Sequence, residues 1–558
     1  MQHKKHFKKG LIALLVASAL PAATAQQVSS EKEQQEFEQI RVTGSYVKGS
    51  DTTKANPVSI FDANEIKNFG GADINDIVSQ ISVSSGAENR PDTFTSFYSQ
   101  GTSNINLRGL GLSSTLVLIN GKRQTISGAK AQDGSVFVDT GSIPAIALQR
   151  LDILKEGAAA TYGSDAVAGV VNFVTRTSFD GFKVEGSYQT TTSDSQDDIN
   201  LSFIGGFDLN DDTNIVVAGT MLRRGTLNAR ERPDLVNRAI SSLGTSFIVP
   251  EAVTVESGPY AGDYSAGENV ANPNCEAVGG IRLAQTNGER CGYQYGLHYN
   301  VVNEEEREQL YFGLSSELED MTFKLTSMYT EYDILDNYTV PSYPNLTFPT
   351  IPASHPSNPF NQGVVWLGRP YPLLARDTTL PAPRSNNTFR IDATLNGDFS
   401  NDWGWLTSLA YSTNEYEITQ PDLSPTRLDL ATLGQGGDSG DLLYNPFDPL
   451  AEDNLLIRDW ASTAFSSRTT TGLLVWDAVV NGDWFSTDAG TASFAFGSQL
   501  RSESYEVDPD DVSTLRYDAQ GNPLSNDFLF LGGVNTVDES RATYAAFAET
   551  EIPLAEGL

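Results

Sequence analysis

A chain of 558 residues with a formal net charge of −34 has no basic face to offer the phosphates of a nucleic acid. With 2 cysteines and 4 histidines it holds no Cys-x-x-Cys pair; His3 and His6 fall in the first segment, and His298 and His355 stand apart, so no metal cluster is expected. Its 48 glycines and 10% aromatic residues suit a fold of many strands and turns.

The first 25 residues read as a secretory signal. Lys4, Lys5, Lys8 and Lys9 form a basic start, residues 11–20 an apolar run broken by Ser18, and Ala23-Thr24-Ala25 a small-residue cleavage site. The run is shorter than the roughly 20 apolar residues that a spanning helix needs. Later segments offer no such helix either. An exported chain of this kind is periplasmic, secreted, or a β-barrel, since only closed barrels cross lipid without helices.

Residues 26–51 form a polar arm (Glu31, Lys32, Glu33, Gln34, Gln35, Glu36). Within it Gln39-Ile40-Arg41-Val42-Thr43-Gly44-Ser45 alternates apolar and polar residues and can extend like a strand. Residues 52–177 carry mixed α/β signals over roughly 125 residues, an ordinary domain size. Val58 to Phe61 reads as a strand. Asp62 and Asp73 are placed to cap two short helices. Residues 105–108 read as a short strand, and residues 116–119 as an apolar strand running into the hairpin turn Asn120-Gly121. Residues 151–154 and 170–174 are further strands.

From residue 181 to 558 the pattern is all β. Phe182, Val184 and Tyr188, then Leu310, Phe312 and Leu314, then Phe389, Ile391 and Leu395 alternate with more polar neighbours. Short turns at residues 210–212, 319–320 and 401–403 alternate with long stretches at 225–306, 335–385 and 420–467. That is the layout of an outer-membrane barrel, with turns toward the periplasm and loops outside. About ten strands fit at 9 to 11 residues each. Plugged transporters have about 22, so the sequence is expected to lack about half of its barrel. Cys275 and Cys291 are spaced to close a small loop by a disulfide.

Three stretches resemble TonB-dependent outer-membrane receptors. Residues 39–45 resemble the TonB box. Asn106-Leu107-Arg108-Gly109-Leu110-Gly111, followed by Leu116-Val117-Leu118-Ile119-Asn120-Gly121-Lys122-Arg123, is similar to the core of the family's plug domain. The Gly109-x-Gly111 pair lacks the third glycine of a dinucleotide loop. Residues 149–157 and Thr161-Tyr162-Gly163-Ser164-Asp165-Ala166-Val167-Ala168-Gly169, continuing to Thr175, resemble the end of the plug. The likeness runs from residue 39 to 177; beyond that only the strand pattern matches.

The resemblance implies an α+β plug inside an antiparallel transmembrane β-barrel in the outer membrane of a Gram-negative cell. It implies import of a scarce nutrient (siderophore, glycan or peptide), energised through TonB and its inner-membrane complex, with lipids and lipopolysaccharide around the barrel. Neither catalysis nor a cofactor is implied. The plug-core residues it marks are Arg108, Gly109, Asn120, Gly121, Glu156, Gly157, Tyr162, Gly163, Asp165 and Gly169, with the glycines serving turns and close packing. Arg108, Arg150 and Arg176 are either plug charges docked on acidic wall residues or solvated arginines. The stretch Tyr343, Pro344, Phe348, Pro352, His355, Pro356, Asn358, Pro359 and Phe360 is either a ligand surface or loop packing, with packing the plainer reading. A passive porin is the alternative class. The G-x-S-x-G and H-E-x-x-H motifs of barrel-borne hydrolases are absent.

Overall fold

The computed structural model describes residues 45–47, 58–68, 74–88, 98–193, 195–338, 348–369, 380–399 and 403–554. The N-terminal α/β domain is a five-stranded sheet built from β1 (Val58–Asp62), β2 (Thr115–Ile119), β3 (Lys122–Arg123), β4 (Leu148–Leu154) and β5 (Gly169–Thr175), in the order β1-β4-β5-β2-β3. β2 and β5 run parallel and the other pairs antiparallel. The apolar runs of β2 and β5 follow from this central place, because both faces are covered. Asp62 opens the helix Ala63–Asn68: its Oδ1 accepts from the backbone N–H groups of Asn64 and Glu65, and the Glu65 carboxylate accepts from Asp62 N–H. That is a reciprocal cap. Asp73, expected to cap the second helix, lies outside the described residues. Ile77, Val117, Ile119, Leu151, Ile153, Val171 and Phe173 form the core.

Residues 105–108 are not a strand. Leu107 makes a lone bridge to Ser84, and Arg108 and Gly109 follow with φ of 56° and 66°. Two successive left-handed residues turn the chain and end any extended run.

Ten antiparallel strands then form one sheet, each paired with the next in sequence: β6 (Gly181–Thr190), β7 (Asp197–Asn210), β8 (Thr213–Arg224), β9 (Glu304–Leu318), β10 (Met321–Tyr338), β11 (Leu380–Asp398), β12 (Gly404–Leu423), β13 (Ser462–Thr487), β14 (Gly490–Pro509) and β15 (Val537–Glu551). The count of ten agrees with the sequence pattern. The faces are reversed relative to a soluble sheet. Leu310, Tyr329, Ile391, Leu409, Tyr411, Leu474, Trp476, Leu500 and Tyr544 point outward and are exposed. Arg307, Tyr311, Arg390, Asp392, Ser412, Asn414 and Thr471 point inward and are buried. An apolar outside around a polar inside is the arrangement of a sheet in lipid. The band is bounded at both ends. Glu304, Glu306 and Glu308 take the outward positions of β9 just before Leu310. Trp403, Trp484, Phe485 and Phe494 cluster near the short turns, an aromatic girdle at the other interface.

The long connections are not open loops. Thr245–Val249, Glu268–Ala271, Thr350–Ile351 and Val364–Gly368 make a four-stranded sheet, and Phe247, Tyr260, Phe360, Trp366, Tyr444 and Phe447 pack on it with the helices Pro425–Thr432 and Glu452–Ala461. A fourth connection, residues 510–536, adds Leu529 to this core. It is tied down by the Asp422 carboxylate, which accepts from Phe530 and Leu531 N–H. The connections thus fold into one cap on the side of the wall away from the short turns. Phe360 and His355 are buried in it, and the His355 ring meets the carbonyl of Tyr444 at 3.0 Å, so this part of the proline-aromatic stretch packs the cap. Phe348 is partly exposed, while Tyr343 and Pro344 lie outside the described residues. Cys275 and Cys291 are joined by a disulfide within the cap, with Cα atoms 5.6 Å apart.

Candidate functional site

The α/β domain lies against the inward face of the wall, and the two sides of that contact differ in chemistry. Toward β7 and β8 it is apolar: Ile204, Val216 and Ala218 share a core with Ile143, Ala147 and Phe173 of the domain; on β9 and β10, Tyr311 and Met328 join that core while Arg307, Gln309, Thr330 and Tyr332 make polar contacts with the domain. Toward β11–β14 it is polar. There the hairpin at Asn120-Gly121 (φ 53° and 76°) delivers Lys122 to the wall. The hairpin is held by two side chains: the Asn120 oxygen accepts from Thr175 N–H at 2.8 Å, and Asn172 accepts from Gly121 N–H at 2.8 Å.

Lys122 Nζ meets Asp392 Oδ1 at 2.8 Å, with both side chains under 10% exposed. Asp392 also accepts from the Thr326 hydroxyl and lies 3.5 Å from Arg390. Arg390 in turn donates to the carbonyl of Arg123 and to Gln124. Beyond the end of β3, Thr125 N–H donates to Ser412 Oγ at 3.0 Å, and Gly128 N–H to Asn414 Oδ1 at 2.7 Å. A side chain at Gly128 would meet the backbone of Thr469 at 2.7 Å, so only glycine lets the chain come this close.

Asp139 is a second hub. Its carboxylate accepts from Ser103 and Gly141 N–H (both 2.9 Å), from the Tyr332 hydroxyl (2.7 Å) and from Asn386 (3.1 Å). Burial raises its pKa, and these donors together with nearby Arg307 oppose the rise. Arg307 donates to the carbonyls of Gly101 and Gly141 and stacks over Tyr332 at 4.8 Å.

At the pole near the short turns, Arg123 pairs with Asp165, which lies 3.6 Å from Arg501 of the wall. Arg123 also donates to the carbonyl of Tyr162. Ser45-Tyr46-Val47 lie here too, with Tyr46 between Tyr162 (6.0 Å) and Phe547 of the wall (4.9 Å). At the opposite pole the domain presents Tyr98, half exposed, with Lys130, Gln132 and Asp133. Lys130 sits over the ring of Tyr505 at 5.6 Å. Glu88 braces this apex by accepting from Gln132 N–H and the Ser99 hydroxyl.

The structure disperses the residues marked by sequence. Gln39, Ile40, Arg41, Val42, Thr43 and Gly44 lie outside the described residues, and Ser45 is on the wall. Arg108 donates to the carbonyl of Ala168, Arg150 pairs with Asp152 inside the domain, and Arg176 lies over Phe179. The buried charge pair across to the wall is made by Lys122 instead. Glu156 and Gly157 are exposed beside the turn. Gly169 (φ 137°) has no room for a side chain, which would come within 2.4 Å of the Leu154 carbonyl. Lys122, Asp139, Arg307, Asn386, Arg390 and Asp392 were not singled out from sequence. The polar residues alternating with Phe389 and Ile391 mark an inward face, but their partners, 266 to 270 residues away, are set by topology.

Residues 50–170 match the family model of the TonB-dependent Receptor Plug Domain. The iron-regulated outer membrane virulence protein of Vibrio cholerae is 36% identical over 76 residues, 13% of this chain and 12% of that protein. The ferric enterobactin receptor PirA of Pseudomonas aeruginosa is 27% identical over 198 residues, 30% of this chain and 26% of that protein. Among solved structures, the ferric enterobactin receptor of Pseudomonas aeruginosa superposes with a TM-score of 0.51 at 16% identity, over 90% of this chain and 56% of that one. The last likeness is one of fold. The chain spans about half the length of that solved receptor, and its matches take in about a quarter or less of the curated relatives. Of these relatives, the first is named an outer membrane protein and the second a receptor.

Proposed function

Because the chain carries a TonB-dependent receptor plug seated on an outer-membrane barrel wall, we propose that it receives and gates the ligand of an energised nutrient importer. The observation that carries this reading is the polar seam between the plug and β11–β14. A neutral hydrogen bond there is worth about 0.5–1.5 kcal/mol net, because water can replace either partner. A plug held in this way closes the lumen at rest, and its polar side can part from β11–β14 under load as water replaces the lost bonds. A passive porin has no need of such a plug.

The energy enters, on this reading, through residues 39–45. An extended segment adds as a strand to the sheet edge of TonB, backbone bonds supplying affinity and Ile40 and Val42 the side-chain contacts. The inner-membrane proton gradient drives the pull. Lipids and lipopolysaccharide surround the apolar band.

A ferric siderophore of catecholate type is the favoured ligand. The support is the naming of the similar receptors and the plug apex, where Tyr98 and Lys130 offer an aromatic face and a cation to an anionic aromatic ligand. The test is uptake of radiolabelled iron by iron-starved cells that carry or lack the intact gene, with labelled cobalamin, glycans and peptides alongside. Loss of ferric catecholate uptake in the deletion supports the reading. Loss of another compound alone overturns the ligand, and loss of none overturns the importer.

A further inference from the structure

We infer that Glu549 of β15 and Asn481 of β13 are positioning residues that latch the root of the N-terminal arm to the barrel wall. The inference rests on reading residues 39–45 as the partner-binding segment. The Glu549 carboxylate accepts from the Ser45 hydroxyl at 2.6 Å and from Tyr46 N–H at 3.0 Å. Asn481 donates to the Tyr46 carbonyl at 2.7 Å. Both backbone polar groups of Tyr46 are therefore taken by wall side chains two strands apart. The hydroxyl of Ser45 also accepts from Val47 N–H at 3.1 Å, which folds the chain back at this point. The Tyr46 ring is clasped between Phe547 of the wall and Tyr162 of the plug.

This is more than incidental packing. Bonds to an ionised acceptor are the stronger class, and Glu549 makes two of them to adjacent groups of the arm. The latch lies between residue 44 and β1 in the chain, so a pull on the arm loads it before it reaches the plug sheet. Tyr162 connects it to the Arg123–Asp165–Arg501 charge network through the carbonyl that Arg123 holds. Releasing Tyr46 therefore uncovers the periplasmic pole of the plug, while the seam at Lys122 and Asp139 stays closed.

The test uses the full-length protein in outer-membrane vesicles, with Val47→Cys, buried at the latch, as a reporter for a maleimide. Both native cysteines are in the disulfide and stay silent. A second reporter, Ser142→Cys, is buried where the plug meets the wall. Glu549→Ala and Asn481→Ala are expected to raise labelling at residue 47 about tenfold or more, from the loss of the bonds that hold Ser45 and Tyr46, with residue 142 still protected. Glu549→Asp is expected to restore part of the protection. Unchanged labelling at residue 47 overturns the latch. Increased labelling at both positions also overturns it, because Glu549 would then hold the plug as a whole. The readout does not involve the partner, so a failure of the TonB-box reading shows separately, as uptake that survives disruption of residues 39–44.

Discussion

Asp392→Asn removes the charge that Lys122 meets inside the barrel. Lys122 stays where it is, 9% exposed, with Arg390 close to the same carboxylate. Breaking a buried pair from one side costs about 3–5 kcal/mol, because the remaining charge is left without compensation. Asparagine still accepts from Lys122 and Thr326, which puts the cost near the lower end. About 3 kcal/mol corresponds to roughly a hundredfold faster local opening. Lys122→Met is the control. It leaves Asp392 with Arg390 and Thr326 and removes a buried charge together with its desolvation cost, so about 1 kcal/mol is expected. The assay is amide hydrogen exchange at β2 and β3 in the full-length protein in bilayers. A large acceleration for Asp392→Asn and a small one for Lys122→Met is the predicted pattern. Equal effects, or none, would refute the assignment of this pair as a plug-to-wall lock.

The cap yields three further predictions. His298 is held neutral, its pKa lowered to about 4 by burial and by the nearby Arg230 and Arg369. An unfolded histidine takes up its proton near pH 6.5, so the stabilisation is full above that pH, is lost as pH falls toward 4, and levels off below. The loss totals roughly 3 kcal/mol, and cap proteolysis between pH 7 and 4 should show it, with a flat profile in His298→Gln. Replacing Cys275 and Cys291 with serine opens a loop of 16 residues and should cost the cap about 3 kcal/mol, read as faster exchange at residues 280–293; an unchanged rate would mean that the bridge adds nothing to local stability. Phe360→Ala empties a fully buried site among Phe247, Tyr260 and Phe447 and should cost about 3–5 kcal/mol of cap stability without altering the plug. Simultaneous loosening of the plug would contradict the separation of the two cores.

The wall was legible in the sequence because its period is two. Phe389 and Ile391 against Arg390 and Asp392 announce a strand with one lipid face and one polar face. The plug hairpin was legible because Asn120-Gly121 has few uses other than a left-handed turn. The cap was not. Its sheet strands are two to five residues long and draw on connections separated by two hundred residues, so neither alternation nor spacing reveals that Phe247 stacks on Phe447. For a related reason Lys122, the charge that docks on the wall, was not singled out. Arg108 and Arg150 stand out in their motifs, whereas Lys122 looks like the ordinary end of a hairpin. Only the register of β10 and β11 sets Thr326 beside Asp392, the carboxylate that receives Lys122.

The central claim is that uptake is driven through the arm. Its most direct test is uptake of ferric catecholate by cells carrying the intact gene, compared with Val42→Pro, which removes a backbone donor and bars strand pairing. Binding to the cell surface should be unchanged, while uptake should fall to the level of the deletion and to that of wild-type cells whose proton gradient is collapsed. Uptake that survives both Val42→Pro and collapse of the gradient would contradict the account and mark the barrel as a passive channel.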